Sequence, residues 1–245
     1  MKARLFGLIV MVAATATAVL AGSVTYSVDG LEFEGHMEKA ADGAPLVLLI
    51  HDWDGLTDYE VKRAGMLAEL GYSVFCADLY GKGVRPTELA DRKKCMTMLT
   101  SDRSKMRSYM KGALAFAKEQ GLNTDNCVAM GYCFGGTAVL ELARSGADLK
   151  GCVTFHGGLA CPDDQDYSKT KGELLILHGS ADTGVTFDQF AALVADLEKA
   201  DVPHEMITYG GAPHAWTVFG SERYNADADE KSWKRFLEFL ETTLK

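Results

Sequence analysis

Three residues whose types cooperate in acyl transfer, Cys133, Asp182 and His214, occur in that order, each in a turn after an apolar run. Cys133 stands in "AMGYCFGG", with Gly131 and Gly135 two positions to either side. A nucleophile on a sharp strand-to-helix turn needs small residues at both places, because the backbone there is strained and neighbouring segments approach closely. Such a turn aims the thiol at the N-terminus of the next helix, whose dipole and free N–H groups favour an anion. An ordinary thiol is only about 3 % ionised at pH 7, a shortfall of about 2 kcal/mol, so it needs a base. In the chain order that accompanies this turn the acid follows the nucleophile and the histidine comes last. Asp182 in "GSAD" and His214 in "GGAPHAW" meet that order. A developing oxyanion needs two aimed backbone N–H donors, which outweigh the ionisation shortfall. Phe134, directly after Cys133, and Trp53, in the loop after "PLVLLI", are the candidates.

Competing chemistries fit less well. "GYCFGG" does not satisfy the G-x-G-x-x-G dinucleotide pattern, and no Walker motif or HExxH occurs. "HDWDGLTD" gathers His51, Asp52, Asp54 and Asp58 but lacks the alternating ligands, sixth-position Gly and twelfth-position Glu of a calcium loop. We therefore expect neither metal nor cofactor. His156 and His178 also end strand-like runs but have no later acid in the required order, which makes them structural or pocket-lining. His36, His51 and His204 have no partner that the sequence identifies.

The elements that must hold these residues alternate between short β-branched runs and helical patterns, the mark of an α/β sheet. "VTYSV" and "LEFEGHM" form the exception: two alternating runs joined by Asp29-Gly30, a type I′ hairpin signal, predict an antiparallel start. Strands are expected at "PLVLLI", "YSVFCADLYG", "NCVAMGY", "GCVTFHG", "ELLILHG" and "HEMITYG". Thr57 and Glu60 make a capping box for the first helix, and Gly71 closes it. Further helices are expected at roughly Thr87 to Leu99, Arg103 to Gln120, after Gly135, from Phe187, and from Asp229 to the C-terminus. Loops beyond the carboxyl ends of strands are where such a sheet places its chemistry. Cys133, Asp182, His214 and Trp53 all fall in such loops.

Lys2 and Arg4 followed by "LFGLIVMVAATATAVLA", with Val19 and Ala21 as a small-x-small site, predict a removable signal peptide over residues 1–21. No lipoprotein cysteine follows it. The expected mature chain is one domain over residues 22–245, exported to a periplasm or secreted, with no membrane attachment. A formal charge of −9 argues against nucleic acid as a partner. Six scattered cysteines without a CxxC pair read as mostly free and buried, not as a disulfide framework.

"IHDWDGL", "GYSVFCADLYG", "GYCFGG", "LHGSAD" and "PHAWTVFGSERYNADAD", in this order, resemble the dienelactone hydrolases of the α/β-hydrolase superfamily. The likeness covers nearly the whole of residues 22–245, and the Cys in "GYCFGG" is its specific part. It implies an α/β-hydrolase fold: a mostly parallel central sheet with helices on both faces. It also implies a cysteine hydrolase of carboxylic esters or lactones acting on a small molecule, with Cys133, Asp182 and His214 as triad and Phe134 and Trp53 as oxyanion donors; a monomer or homodimer is expected. Two positions depart from the family: Asp52 stands where a Glu meets the resting thiol, and Val218 where an Arg holds the substrate carboxylate. Arg85 is the candidate replacement cation. Tyr80, Tyr132, Phe155 and Trp216 are candidate pocket residues. A thioesterase or acyltransferase with the same triad, a redox-active thiol protein and a non-catalytic binding protein are the alternatives.

Overall fold

The computed structural model describes residues 20–244. The expected signal peptide lies outside the described residues apart from Leu20 and Ala21, which open the first strand. Strands β1 (Leu20–Val28) and β2 (Leu31–Lys39) form the antiparallel hairpin, with Asp29 at φ 52 and Gly30 at φ 78 as a type I′ turn requires. There follow β3 (Pro45–Ile50), α1 (Asp58–Ala68), β4 (Ser73–Ala77), α2 (Leu89–Thr100), α3 (Arg103–Glu119), β5 (Asn123–Tyr132) and α4 (Phe134–Arg144). The chain continues through β6 (Gly151–Phe155), β7 (Glu173–Gly179), α5 (Phe187–Lys199), β8 (His204–Tyr209) and α6 (Ala226–Thr243).

The eight strands make one sheet in the order β1-β2-β4-β3-β5-β6-β7-β8. β2 pairs antiparallel with β1 and β4, and all later pairs are parallel. The parallel strands are apolar on both faces because helices cover both. Leu46, Leu48 and Ile50 of β3 join a core with residues of α2, α3, α4 and α5. Val47 and Leu49, one residue out of phase, join a second core with residues of α1 and α6. This is the expected α/β-hydrolase architecture, hairpin included.

From β3 the chain turns to β4 on one side, while β5 pairs on the other. The loops after β3 and β5 therefore diverge and leave a crevice at the carboxyl ends of the strands, the usual ligand position in such sheets. Among the described residues no helix is long and apolar enough to cross a membrane. None of the six cysteines is disulfide-bonded; Cys76, Cys127 and Cys152 are buried.

Candidate active site

Strand β5 ends in Cys133, whose backbone adopts φ 49 and ψ −111, and α4 begins at the next residue. A left-handed conformation at a non-glycine residue costs about 1–3 kcal/mol and persists only where its surroundings impose it. Here they do. A Cβ on Gly131 would overlap the backbone of Gly135, one on Gly135 would meet the carbonyl oxygens of Ile50 and His51, and one on Gly136 would meet Thr154 and Gly157. The turn is thus wedged between β3 and β6. The Cys133 amide donates to Phe155 O at 3.0 Å and to His156 Nδ1 at 3.2 Å.

The structure brings the three sequence-predicted side chains together. His214 Nε2 lies 3.1 Å from Cys133 Sγ, and His214 Nδ1 lies 2.7 Å from Asp182 Oδ2. The other Asp182 oxygen accepts the Gly184 and Val185 amides at 2.8 and 2.9 Å. Burial alone would raise the Asp182 carboxyl, but His214 and those amides outweigh it and hold the group below its ordinary pKa. Asp182 is therefore a fixed anion that orients Nδ1–H of His214 and leaves Nε2 facing the sulfur.

The surroundings of the thiol work against its ionisation. Burial, and then the charge of Asp52 beside it, push Cys133 well above the usual thiol range and offset the Phe134 amide. The Phe134 amide at the helix N-terminus pulls the other way, toward the anion, and burial is the larger effect. Asp52 is itself driven up to about 6, mainly by burial and then by Asp54, against the pull of the Trp53 amide. Its Oδ1 accepts Trp53 N–H at 2.5 Å. The amide of Trp53, expected as an oxyanion donor, thus donates to its neighbour's carboxyl.

A second buried acid supports this loop. Glu60 is fully buried, with Oε1 accepting the Asp52 amide at 3.2 Å and Oε2 accepting Thr57 N–H and Oγ1–H at 2.8 and 2.9 Å. Burial raises its carboxyl to about 7. The sequence shows Glu60 only as half of a capping box; its reach to Asp52 depends on how the loop folds back.

Cys133 and His214 open into a cavity of about 530 Å³. Asp52, Trp53 and Phe134 line it with Met96, Thr137, Val185, Pro213 and Arg223. Several expected pocket residues do not. Tyr132 and Phe155 point to the opposite face of the sheet, where they pack with Trp216 in the core beneath α1 and α6. Strand alternation accounts for this, since Tyr132 and Phe155 lie one residue before the turn residues Cys133 and His156. Tyr80 sits behind the lining, its ring 5.4 Å from that of Phe134 and 4.7 Å from that of His51. Arg85 is turned to the hairpin, donating to Val84 O and Glu34 O at 2.9 and 3.0 Å. The arginine that does line the cavity is Arg223, which is exposed and has no side-chain partner among the described residues. Its only sequence signal was its place in "GSERYN", in the loop that follows His214.

His51 and His178 lie outside the hydrogen-bonded series of Cys133, His214 and Asp182. His51 Nδ1 donates to Asp52 O at 2.5 Å and its Nε2 accepts Leu79 N–H at 3.1 Å, so both nitrogens are occupied. His178 packs against Phe190 with ring centroids 5.3 Å apart. Among the described residues no group of three or more His, Cys, Asp or Glu side chains is placed to hold a metal ion.

The model of the family described as "Dienelactone hydrolase family" matches residues 33–244. A Synechocystis protein provisionally named carboxymethylenebutenolidase is 24% identical over 240 residues, covering 91% of this chain and 96% of its own length. An Escherichia coli protein of the same provisional name is 23% identical over 238 residues, covering 91% and 87%. Among solved structures, a dienelactone hydrolase-like promiscuous phosphotriesterase from metagenomic libraries superimposes with a TM-score of 0.85 at 26% identity, covering 94% of this chain and 100% of that one.

Proposed function

This chain belongs to the dienelactone hydrolase family, and we propose that it cleaves a carboxylic ester or lactone through an acyl-thioenzyme on Cys133. The observation that carries the proposal is the hydrogen-bonded series from Cys133 Sγ through His214 to Asp182, opening on a cavity large enough for a small substrate. His214 Nε2 takes the thiol proton as Sγ bonds to the carbonyl carbon. The oxyanion is received by the Phe134 and Trp53 amides, the latter once Asp52 Oδ1 has released it. Collapse breaks the ester C–O bond, and the leaving oxygen takes the proton from His214. Water, deprotonated by His214, then attacks the thioester, the C–S bond breaks, and acid and free thiol are regenerated. Asp182 stays ionised and stabilises the imidazolium formed in each half.

Burial and the Asp52 carboxyl disfavour the thiolate, which supports general-base assistance by His214 in step with attack. Among the described residues Arg223 is the one arginine or lysine lining the cavity, and supports an anionic group on the preferred substrate. The leader-like first 21 residues support export of one domain comprising the rest of the chain; N-terminal sequencing of protein recovered outside the cytoplasm would begin at Gly22, and an intact Met1 there would refute this.

Steady-state hydrolysis of p-nitrophenyl acetate by the reduced protein, beside Cys133→Ala, tests the central claim. Turnover is expected to fall to background in the variant. Equal rates in the two folded proteins would overturn the assignment of the nucleophile.

A further inference from the structure

His156 contacts both arms of the triad without lining the cavity. It is fully buried, and φ is 43, so its ring is carried on a left-handed turn just past β6. Cys133 at φ 49 and Ala215 at φ 64, the residue after His214, share that conformation. Three strained turns at three strand ends thus meet around one imidazole.

The hydrogen bonds fix its protonation pattern. Cys133 N–H is a donor, so Nδ1 must present a lone pair to it at 3.2 Å. The ring proton is then on Nε2, which donates to Thr217 Oγ1 at 2.8 Å. Thr217 lies three residues beyond His214 and is anchored in turn: Tyr59 OH donates to its hydroxyl at 2.8 Å, and Arg63 Nη2 donates to its carbonyl at 2.9 Å. Arg63 continues to Asp229 on α6 at 2.5 Å. The ring faces of His214 and Trp216, 5.2 and 4.9 Å away, close the remaining sides edge-on. Burial, then the neighbouring His214, depress the basicity of His156, in keeping with a neutral ring.

We propose that His156 is a positioning residue: as the neutral Nε2–H tautomer it ties the Cys133 turn to the His214 loop through Thr217 and so sets the approach of imidazole to thiol. The proposal rests on the reading of Cys133 and His214 as nucleophile and base. Removing the acceptor at Thr217 frees the ring to carry its proton on Nδ1, where it opposes the Cys133 amide. The turn and the loop then move independently, and a displacement of about 1 Å between reacting groups costs on the order of 100-fold in rate.

The test compares Thr217→Val, His156→Leu, His156→Asn and Tyr59→Phe by kcat and KM on p-nitrophenyl acetate, and by the rate of Cys133 alkylation with iodoacetamide from pH 6 to 9. Thr217→Val keeps the side-chain shape and is expected to lower kcat by about 10-fold or more with KM within about 2-fold, with alkylation slowed in parallel. His156→Leu should show the same. His156→Asn should recover part of the loss, because its amide oxygen can take the Cys133 N–H. Tyr59→Phe, which removes one anchor of Thr217 but spares the His156 to Thr217 bond, should lower kcat and slow alkylation clearly less than Thr217→Val.

Folded Thr217→Val with kcat and alkylation rate within 2-fold of the parent overturns the proposal, whether or not the leucine variant folds. An equal loss in Tyr59→Phe also overturns it, since the effect would then be a general loosening of the network. Were the parent to lack Cys133-dependent turnover, the hydrolase reading would fail, yet the alkylation rates would still decide whether the tie through His156 governs the thiol.

Discussion

The substitution Gly135→Ala adds one methyl group at the most crowded point of the site. The new Cβ would lie 2.6 Å from His51 O and 2.8 Å from the carbonyl carbon of Ile50, with Ile50 O closer still, whereas real Cβ atoms essentially never come within 3.0 Å of another atom. Those carbonyls cannot yield, because Ile50 is paired to Ala77 on one side and Gly131 on the other. The first turn of α4 must therefore retreat, carrying Phe134 N–H and Cys133 with it. Overpacking of a rigid site costs typically 1–3 kcal/mol, and with backbone on the opposing side we place this case at about 3 kcal/mol. At about 2–4 °C per kcal/mol for a chain of this size, the thermal midpoint should fall by about 6–12 °C. Turnover should fall by about 100-fold, from displacement of the nucleophile. Gly65→Ala is the internal control: it lies in α1 with nothing within 4 Å of the added atom, so the same chemical change should stabilise by about 0.5–1 kcal/mol. Calorimetric midpoints and initial rates of the two variants test the reasoning. A Gly135→Ala protein within 2 °C of the parent and within 3-fold of its rate would show that the turn is not wedged.

Asp182→Asn retains an acceptor for the Gly184 and Val185 amides but turns an NH₂ toward His214 Nδ1, so kcat should drop by about 10³–10⁴ with little change in thermal midpoint; a loss below 10-fold would contradict the assigned tautomer. The raised carboxyl of Glu60 keeps its proton in the folded state between its ordinary value of 4.5 and about 7, where the unfolded chain has lost it, so its contribution to stability falls as pH rises through that window. Buried neutral histidines His51 and His156 act in the opposite sense below pH 6.5, so the comparison must be differential. Relative to the parent, Glu60→Gln should gain about 2–3 kcal/mol between pH 5 and pH 8 in urea unfolding, and a flat difference would refute it. Arg223→Gln should lower kcat/KM about 5-fold for an ester bearing a carboxylate and leave p-nitrophenyl acetate unaffected; equal effects on both would remove Arg223 from substrate selection.

Much of this site was legible because its determinants are local. Asp29-Gly30 encodes its turn outright, and small residues at 131 and 135 announce the tight turn at Cys133 because no other types fit there. The order Cys133, Asp182, His214 follows from which strands end where. What escaped depends on contacts between distant segments. The side toward which Tyr132, Phe155 and Trp216 point is set by register against the whole sheet, and an aromatic run next to a site carries no sign of it. Arg85 and Arg223 are equivalent as letters; only the course of two loops decides that one faces the hairpin and the other the cavity. The protonation of Cys133 could not be read at all, since it is governed by burial and by a carboxyl 81 residues earlier in the chain.

The proposed triad also has a place in time. Its hydrogen bonds span 81 residues from Cys133 to His214 and 32 from Asp182 to His214, and each member rides on a different strand. None of these contacts can form from a local segment, so they arise only when the closing strands have docked, the slowest class of event in folding. A nascent chain that ends before β8 carries the thiol but no base. On the proposed reading, the chemistry is withheld throughout synthesis and appears together with the finished sheet, so recovery of turnover would report on the last step of folding and its loss would be an early sign that β8 has come away.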